Sequence, residues 1–477
     1  MIEKVIAEPR ELEALFRPRG VVVVGASPVP GKIGNLVVQS LQRNGFGGDL
    51  YPVNRAGQEV LGLRTYSSVL DVPDPVDLAV IAVPADAVSA AFDECAQRRV
   101  KAAIVLSSGF SESGDEGAEL ERRLRVQAAT AGVRLLGPNC QGVVSLPDKL
   151  FASFSPSFQT GESGSVSMVS QSGGYNSVAF RLGLMSGVHF SRIVSTGNEC
   201  DITATDLFEF LAEDPETEIV AAYLEQVRDA RRFLDVVSEL SAKKPVVVAK
   251  AGRTDVGGKA ASSHTGSLAG SGAVAKGVLA QAGALAARSV DEMISLLVAF
   301  SGPHTMAAGD RVGLLSQGGG FGVETTDLCR ERGMRLPAFR PETVAALGEM
   351  IPYYGTADNP VDFTAALMGN PAWLAETVNL LAKDDSIDMV ALLLTSSPGP
   401  DAVEDLANAV RASSKPIVIG WLGGVGDPDR ERLHGLGVPT FFSPLSLTTG
   451  LKGLAQRGQH LLGGDFAGTL RPPKGSN

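Results

Sequence analysis

The chain holds five histidines, and His264 sits in a setting unlike the other four. It lies within Gly257-Gly258-Lys259-Ala260-Ala261-Ser262-Ser263-His264-Thr265-Gly266-Ser267-Leu268-Ala269-Gly270, a run of glycines and small side chains. A neutral imidazole with so little bulk around it can attack phosphorus and become a phosphohistidine. Such a ring wants a carboxylate on its other nitrogen to fix the tautomer. Glu225 follows the apolar run Ile219-Val220-Ala221-Ala222-Tyr223-Leu224, where the carboxyl end of a strand would present it. The same composition also describes a surface loop without chemistry, and the residues alone leave both readings open. His189, His304, His434 and His460 read as packing or surface positions.

Four further segments could receive a phosphate. Gly25-Ala26-Ser27-Pro28-Val29-Pro30-Gly31-Lys32-Ile33-Gly34 follows an apolar run and precedes a helix-like segment. Glycines there permit a tight turn and close backbone approach, and the helix start offers free N–H groups to an anion. The segment fits neither GxGxxG nor a P-loop ending in GK[ST], which favours a phosphate-bearing cofactor other than NAD. Ser170-Gln171-Ser172-Gly173-Gly174-Tyr175 and Ser316-Gln317-Gly318-Gly319-Gly320-Phe321 form a second pair of strand-to-helix turns, read as paired anion sites. Gly137-Pro138-Asn139-Cys140-Gln141-Gly142 ends another run, at the edge where open sheets bind ligands. Cys140 has no histidine partner nearby in sequence and reads as a small buried hydrophobe.

The elements that must position these residues follow from short β-branched runs. Gly20–Gly25, Leu78–Val83, Ala102–Leu106 and Val133–Leu136 alternate with helical patterns near 87–99 and 114–131, which predicts βαβ units and a parallel sheet. Residues 146–164 are rich in Ser, Phe, Pro and Gly without period and read as a linker. A second α/β block opens at Ser165 and a third at Arg311. They read as copies, since the Ser-Gln-x-Gly-Gly-aromatic turn and a Lys-Pro-β-branched strand (Lys244–Val248, Lys415–Ile419) recur in the same order.

The 477 residues predict two to four domains. A formal net charge of −11 argues against a nucleic-acid binder. Cys95, Cys140, Cys200 and Cys329 are widely spaced, which suggests neither a disulfide scaffold nor a zinc site and fits a reducing, cytoplasmic setting. The sequence carries no HExxH or clustered His/Cys pattern, so no metal is expected on the chain. Neither a signal peptide nor an apolar stretch of about 20 residues is evident, so no membrane association is expected.

Taken in order, these residues resemble the alpha subunit of the NDP-forming acyl-CoA synthetases, relatives of succinyl-CoA synthetase. Ser263-His264-Thr265-Gly266-Ser267-Leu268-Ala269-Gly270 is similar to the family's phosphohistidine loop. Val53-Asn54, Gly62, Tyr66-Ser67, Gly109-Phe110, Glu112-Ser113-Gly114, Gly137–Gly142, Gly197-Asn198-Glu199, Asp201 and Asn359-Pro360-Val361-Asp362 support it. The resemblance implies an α/β chain with a Rossmann-like CoA-binding domain at 10–145. Two flavodoxin-like ligase domains would follow, at 146–300 (with the phosphohistidine loop) and 301–465, then a flexible tail at 466–477. It implies interconversion of acyl-CoA, NDP and phosphate with acid, CoA and NTP, by way of acyl phosphate and phosphohistidine. His264 would be phosphorylated and Glu225 would orient it. Gly25, Ser27, Lys32, Ile33, Val53, Asn54, Val83, Pro84, Asn139 and Cys140 would border CoA, and Ser170, Ser172, Gly173 and Gly174 would hold the phosphoryl group. The blocks leave no room for an ATP-grasp module. The resemblance therefore implies a separate beta subunit binding ATP or ADP and Mg2+, a hetero-oligomer, and a small carboxylic acid as substrate. Two other readings compete: a CoA- or acyl-CoA-binding regulatory protein, which has no use for His264, and an NAD(P)-dependent oxidoreductase, disfavoured by the missing GxGxxG.

Overall fold

The computed structural model describes residues 9–159, 161–259, 272–424 and 426–463. By its contacts the chain divides into two compact units. One holds the residues up to Arg181 with His189–Arg288, the other Leu182–Val188 with the residues from Ser289 onward. Among the described residues no helix is long and apolar enough to cross a membrane.

The first unit opens with five short strands: β1 (Gly20–Val24), β2 (Asp49–Val53), β3 (Leu78–Ile81), β4 (Ala102–Val105) and β5 (Arg134–Leu136). All pair in parallel, in the order β2-β1-β3-β4-β5. Successive side chains on a strand point to opposite faces. Val21, Val23, Leu78 and Val80 accordingly enter one core, and Val22, Val24, Ala79 and Ile81 enter another. β2 escapes a search for apolar runs because it begins at Asp49 and contains Pro52. An edge strand tolerates both, since proline's missing N–H falls on the unpaired side.

The second sheet draws on β6 (Gly142–Ser145), β7 (Leu150–Ser153), β8 (Val166–Ser170), β9 (Phe190–Ser195), β10 (Ile219–Leu224), β11 (Val246–Lys250) and β12 (Leu285–Ala287). Its order is β12-β11-β10-β8-β9-β6-β7, with the β6–β7 hairpin antiparallel to β9. The stretch expected to be a linker is therefore partly structural. β7 lies inside it, and β6 belongs to the second sheet although it precedes residue 146. These four-residue strands are too short to carry a visible period. β9 also hid, because Arg192 interrupts its apolar run. That side chain is buried in the strand and donates to Asp214 at 2.7 and 2.9 Å. One continuous core joins the two sheets: Val21, Leu78 and Ile104 share it with Val143, Val169, Val220 and Val248.

The second unit carries β13 (Val312–Ser316), β14 (Val361–Asp362), β15 (Met389–Leu394), β16 (Ile417–Trp421) and β17 (Thr440–Phe441), ordered β14-β13-β15-β16-β17 around its own core. All three sheets thus share one doubly wound plan, 2-1-3-4-5 in local numbering, with the antiparallel hairpin added only to the second. In such sheets the helices after the two central strands leave toward opposite faces, which opens a crevice at their carboxyl ends. Those crevices lie at β1/β3, β8/β10 and β13/β15.

Candidate functional site

At the first crevice, Gly25 has φ +86°, and a Cβ there would stand 2.5 Å from the Ala82 carbonyl oxygen. Only glycine fits. A Cβ on Gly34 would meet the Gly25 oxygen at 2.0 Å, so the helix Ile33–Arg43 starts tight against the turn. Ser27 fixes the turn by accepting from Val29 N at 3.1 Å, and its carbonyl accepts from the Asn35 side chain at 2.8 Å. Asn54, just past β2, donates to the Ala26 carbonyl at 2.9 Å. Lys32 is the exposed N-cap of the helix and makes no side-chain capping bond; Ile33 is exposed beside it. Val83 and Pro84 follow β3, and Pro84 caps the helix Ala85–Gln97. The expected CoA-bordering residues from 25 to 84 thus gather on the ends of three adjacent strands.

At the second crevice, β8 runs into the helix Gly173–Met185. The buried Ser170 hydroxyl donates to the Ser172 carbonyl at 2.7 Å and accepts from Ser172 N at 3.1 Å, which shapes the turn. Its hydroxyl is used internally, so holding an anion would fall to the turn beyond it. Ser172 Oγ accepts from Tyr175 N at 3.4 Å. Gly174 is exposed with open space around it, and a Cβ on Gly173 would collide with the Gln141 side chain. Glu225 begins the turn after β10 and is buried. The Gln171 carboxamide oxygen accepts from Glu225 N at 2.5 Å and Gln226 N at 2.9 Å, while its NH2 donates to the Gln226 carbonyl at 3.0 Å. Lys250 Nζ donates to the Glu225 carbonyl at 2.6 Å. Burial draws the Lys250 ammonium below its usual range, and Glu225 opposes the shift. Burial together with the Glu225 carboxylate, to which its hydroxyl is hydrogen-bonded, pushes the Tyr223 phenol up.

The loop after β9 ties the two crevices together. Asn198 donates to Glu112 at 2.6 Å and Glu121 at 2.9 Å, both on the first-sheet side, and accepts from the Asn139 side chain at 3.2 Å. A Cβ on Gly197 would meet the Pro138 oxygen at 2.2 Å, so the backbones touch. Glu199 is buried; burial pushes its carboxyl above the usual range against hydrogen bonds from Gln171, Ala204 N and Thr196. A small cavity of about 50 Å3 results, bordered by Ser111, Asn139, Gln171, Asn198, Glu225 and Gln226. A larger cleft of about 1230 Å3 adjoins it; of its five arginines, Arg134 and Arg232 are engaged by Asp201, Asp206 and Glu209.

Cys140 is buried, as a small buried hydrophobe should be; its thiol is directed to the Val105 carbonyl, and burial pushes its pKa to about 12, so it supports the loop from beneath. The third-sheet turn is not an equivalent anion site: a Cβ on Gly319 would lie 2.8 Å from Asp362 Oδ2, so a carboxylate already stands at that helix start. His264 lies outside the described residues, as does the segment from 464 onward. Sequence reasoning did not assign Gln171, although the recurrence of glutamine in both copied turns was a usable signal.

Known proteins share this arrangement. Residues 19–145 match the family described as CoA binding domain, 163–300 the succinyl-CoA ligase like flavodoxin domain, and 312–425 the Ligase-CoA domain. The chain is 34% identical to the alpha subunit of acetate–CoA ligase [ADP-forming] II of Pyrococcus furiosus, over 95% of this chain and 99% of that one. It is 37% identical to acetate–CoA ligase [ADP-forming] I of Archaeoglobus fulgidus, over 91% of this chain but 62% of that longer protein. The structure of the dinucleotide-forming acetyl-coenzyme A synthetase 1 of Ca. Korarchaeum cryptofilum, in complex with phosphate and ADP, superposes with a TM-score of 0.86 at 34% identity. That match covers 96% of this chain and 99% of that one.

Proposed function

Because this chain belongs to the ADP-forming acyl-CoA synthetases, as an alpha subunit that acts with a partner subunit in interconverting acyl-CoA and free acid, we propose that the second crevice is where its phosphoryl group is received. The carrying observation is the convergence of a buried carboxylate, Glu225, and an exposed helix start, Gly173–Gly174, on the two central strands of one sheet. In this reading phosphate displaces CoA from acyl-CoA, and His264 then takes the phosphoryl group from the acyl phosphate, releasing the acid. Glu225 accepts a hydrogen bond from the ring nitrogen that does not attack and stabilises the charge that develops on the imidazole. Helix-start amides around Gly173 face the phosphoryl oxygens. CoA lies over β1, β2 and β3, bordered by Gly25, Ser27, Lys32, Ile33, Val53, Asn54, Val83 and Pro84, with Asn139 at the junction. The close Gly25/Ala82 approach supports this placement, since a side chain there would push apart the two strand ends on which it rests. The partner is read as an ATP-grasp beta subunit that binds ADP or ATP with Mg2+, and a cytoplasmic setting and a small carboxylic acid complete the reading. Residues 10–145, 146–300 and 301–465 remain the proposed functional domains, with the β6 strand assigned to the second sheet.

Intact-mass analysis of the chain mixed with its partner subunit, ATP and Mg2+ tests the assignment. One phosphoryl group that is acid-labile, alkali-stable and absent from His264→Ala is the expected result. An unmodified wild-type chain in a mixture that turns over would overturn it.

A further inference from the structure

We propose that Gln171 is the positioning residue for Glu225, setting the height of the carboxylate-bearing turn through its backbone. The proposal rests on the reading of Glu225 as the group that orients His264.

At the crevice β8 and β10 part company, because their following helices leave to opposite faces. Backbone pairing between them ends where Gln171 N donates to the Tyr223 carbonyl at 3.1 Å. Beyond that point the Gln171 side chain takes over as a surrogate peptide group. Its oxygen receives the N–H groups of Glu225 and Gln226, and its NH2 returns a bond to the Gln226 carbonyl. A carboxamide has two donor hydrogens and two acceptor lone pairs, and three of these four are used here. The side chain is buried, so water does not readily replace these bonds. Without it, two N–H groups of a buried turn lose their acceptor, and the turn must move to satisfy them.

The molecule contains its own control. In the third sheet Gln317 N donates to the Leu393 carbonyl at 3.0 Å, and the Gln317 oxygen accepts from Thr395 N at 2.8 Å and Ser396 N at 3.0 Å. The two N–H bonds are the same, but the Gln317 NH2 donates to the Ser396 hydroxyl at 2.9 Å instead of to a backbone carbonyl, and the residue held is a threonine. A merely structural glutamine should matter equally in both sheets; a positioning one should matter to turnover only in the second.

The test uses the assembled enzyme with its partner subunit and compares Gln171→Leu, Gln171→Met, Gln317→Leu, Glu225→Gln and the double variant Gln171→Leu/Glu225→Gln. Gln171→Leu should lower kcat and phosphohistidine formation by about 10²-fold, the scale of a misplaced reacting group, with the KM for CoA unchanged. Gln317→Leu should lower Tm alone. The double variant should be no slower than Glu225→Gln. Gln171→Met fills the site with no donor and only a weak sulfur acceptor, and serves if the leucine variant fails to fold; Tm confirms folding. Multiplying effects in the double variant, or wild-type kcat in folded Gln171→Leu and Gln171→Met while Glu225→Gln is slow, would overturn the proposal and leave the Glu225 reading standing. A wild-type rate in Glu225→Gln would instead overturn that reading and the proposal with it.

Discussion

In the second sheet Ser170, Gln171 and the Gly173–Gly174 helix start stand opposite Glu225; in the third, Ser316, Gln317 and Gly319–Gly320 stand opposite Thr395. The turns are built alike. Ser316 Oγ donates to the Gly318 carbonyl at 2.7 Å, as Ser170 Oγ does to Ser172. Two details differ. The acid at the end of the neighbouring strand has become a hydroxyl, and the neutral Gln141 packed on the second helix start is matched by the charged Asp362 on the third. A negative side chain at a helix start satisfies the helix dipole and repels a further anion. The doubled frame thus carries unlike side chains at like places: the backbone bonds to the glutamine oxygen are held in common, while the residue after the neighbouring strand and the one packed on the helix start differ.

The sharpest break between the two regions is expected at the acid. Glu225→Gln should lower the rate of phosphohistidine formation on the order of 10²–10⁴-fold, as for other proton-handling groups, while Thr395→Val leaves it within about twofold of wild type on the same scale. Rapid-quench phosphorylation assays give both numbers, and equal losses would erase the distinction. A smaller effect belongs to the helix starts. Gly173→Ala must displace Gln141 and its bond from Ser177, and should slow phosphoryl transfer about tenfold, equivalent to about 1.4 kcal/mol. Gly319→Ala presses on Asp362 and should leave the rate unaltered in the same assay.

The last expected effect falls on stability and not on rate, at the opposite edge, where the third sheet resembles the first instead. Arg311 clamps Asp388 through its backbone N at 3.0 Å, Nε at 3.0 Å and NH2 at 2.6 Å, and Arg19 holds Asp77 in the same way at 3.0, 2.8 and 3.0 Å. Burial works to raise the Asp388 carboxyl, but the Arg311 bonds prevail and hold it below the usual range. A depressed carboxyl contributes stability above its unfolded value, about 4 for aspartate, and that contribution is lost as pH falls through the folded value. Asp388→Asn should therefore cost about 1–3 kcal/mol at neutral pH. Its deficit against wild type should shrink in melts below about pH 4.

Much of this was readable beforehand, and for identifiable reasons. Short apolar runs revealed β1, β3, β4, β5, β8, β10, β11, β13, β15 and β16, because a strand buried on both faces is largely hydrophobic. Two of the strands that stayed hidden have a polarity with a structural purpose, β2 at an edge and β9 with its internally paired Arg192; β6, β7, β12, β14 and β17 hid because two to four residues carry no period. At the site, Glu225 was legible from its place after a strand. Gln171 was not, because its role depends on which strand lies beside β8, and strand order leaves no mark on local composition. Asn139 and Asn198 were visible as motif members, while the bond between them spans 59 positions of sequence and emerges only in the fold.

The core shared by the first two sheets has a consequence for how the protein breathes. Hydrogens deep in β10 can exchange with solvent only when the cooperative unit around them opens, and that unit includes Val21 and Leu78 of the sheet read as the CoA platform. A ligand bound to one part of a cooperative unit slows the opening of all of it by mass action. CoA should thus protect amides of β10 and β11 that it never touches, and the slowest exchangers on both sheets should share one opening free energy.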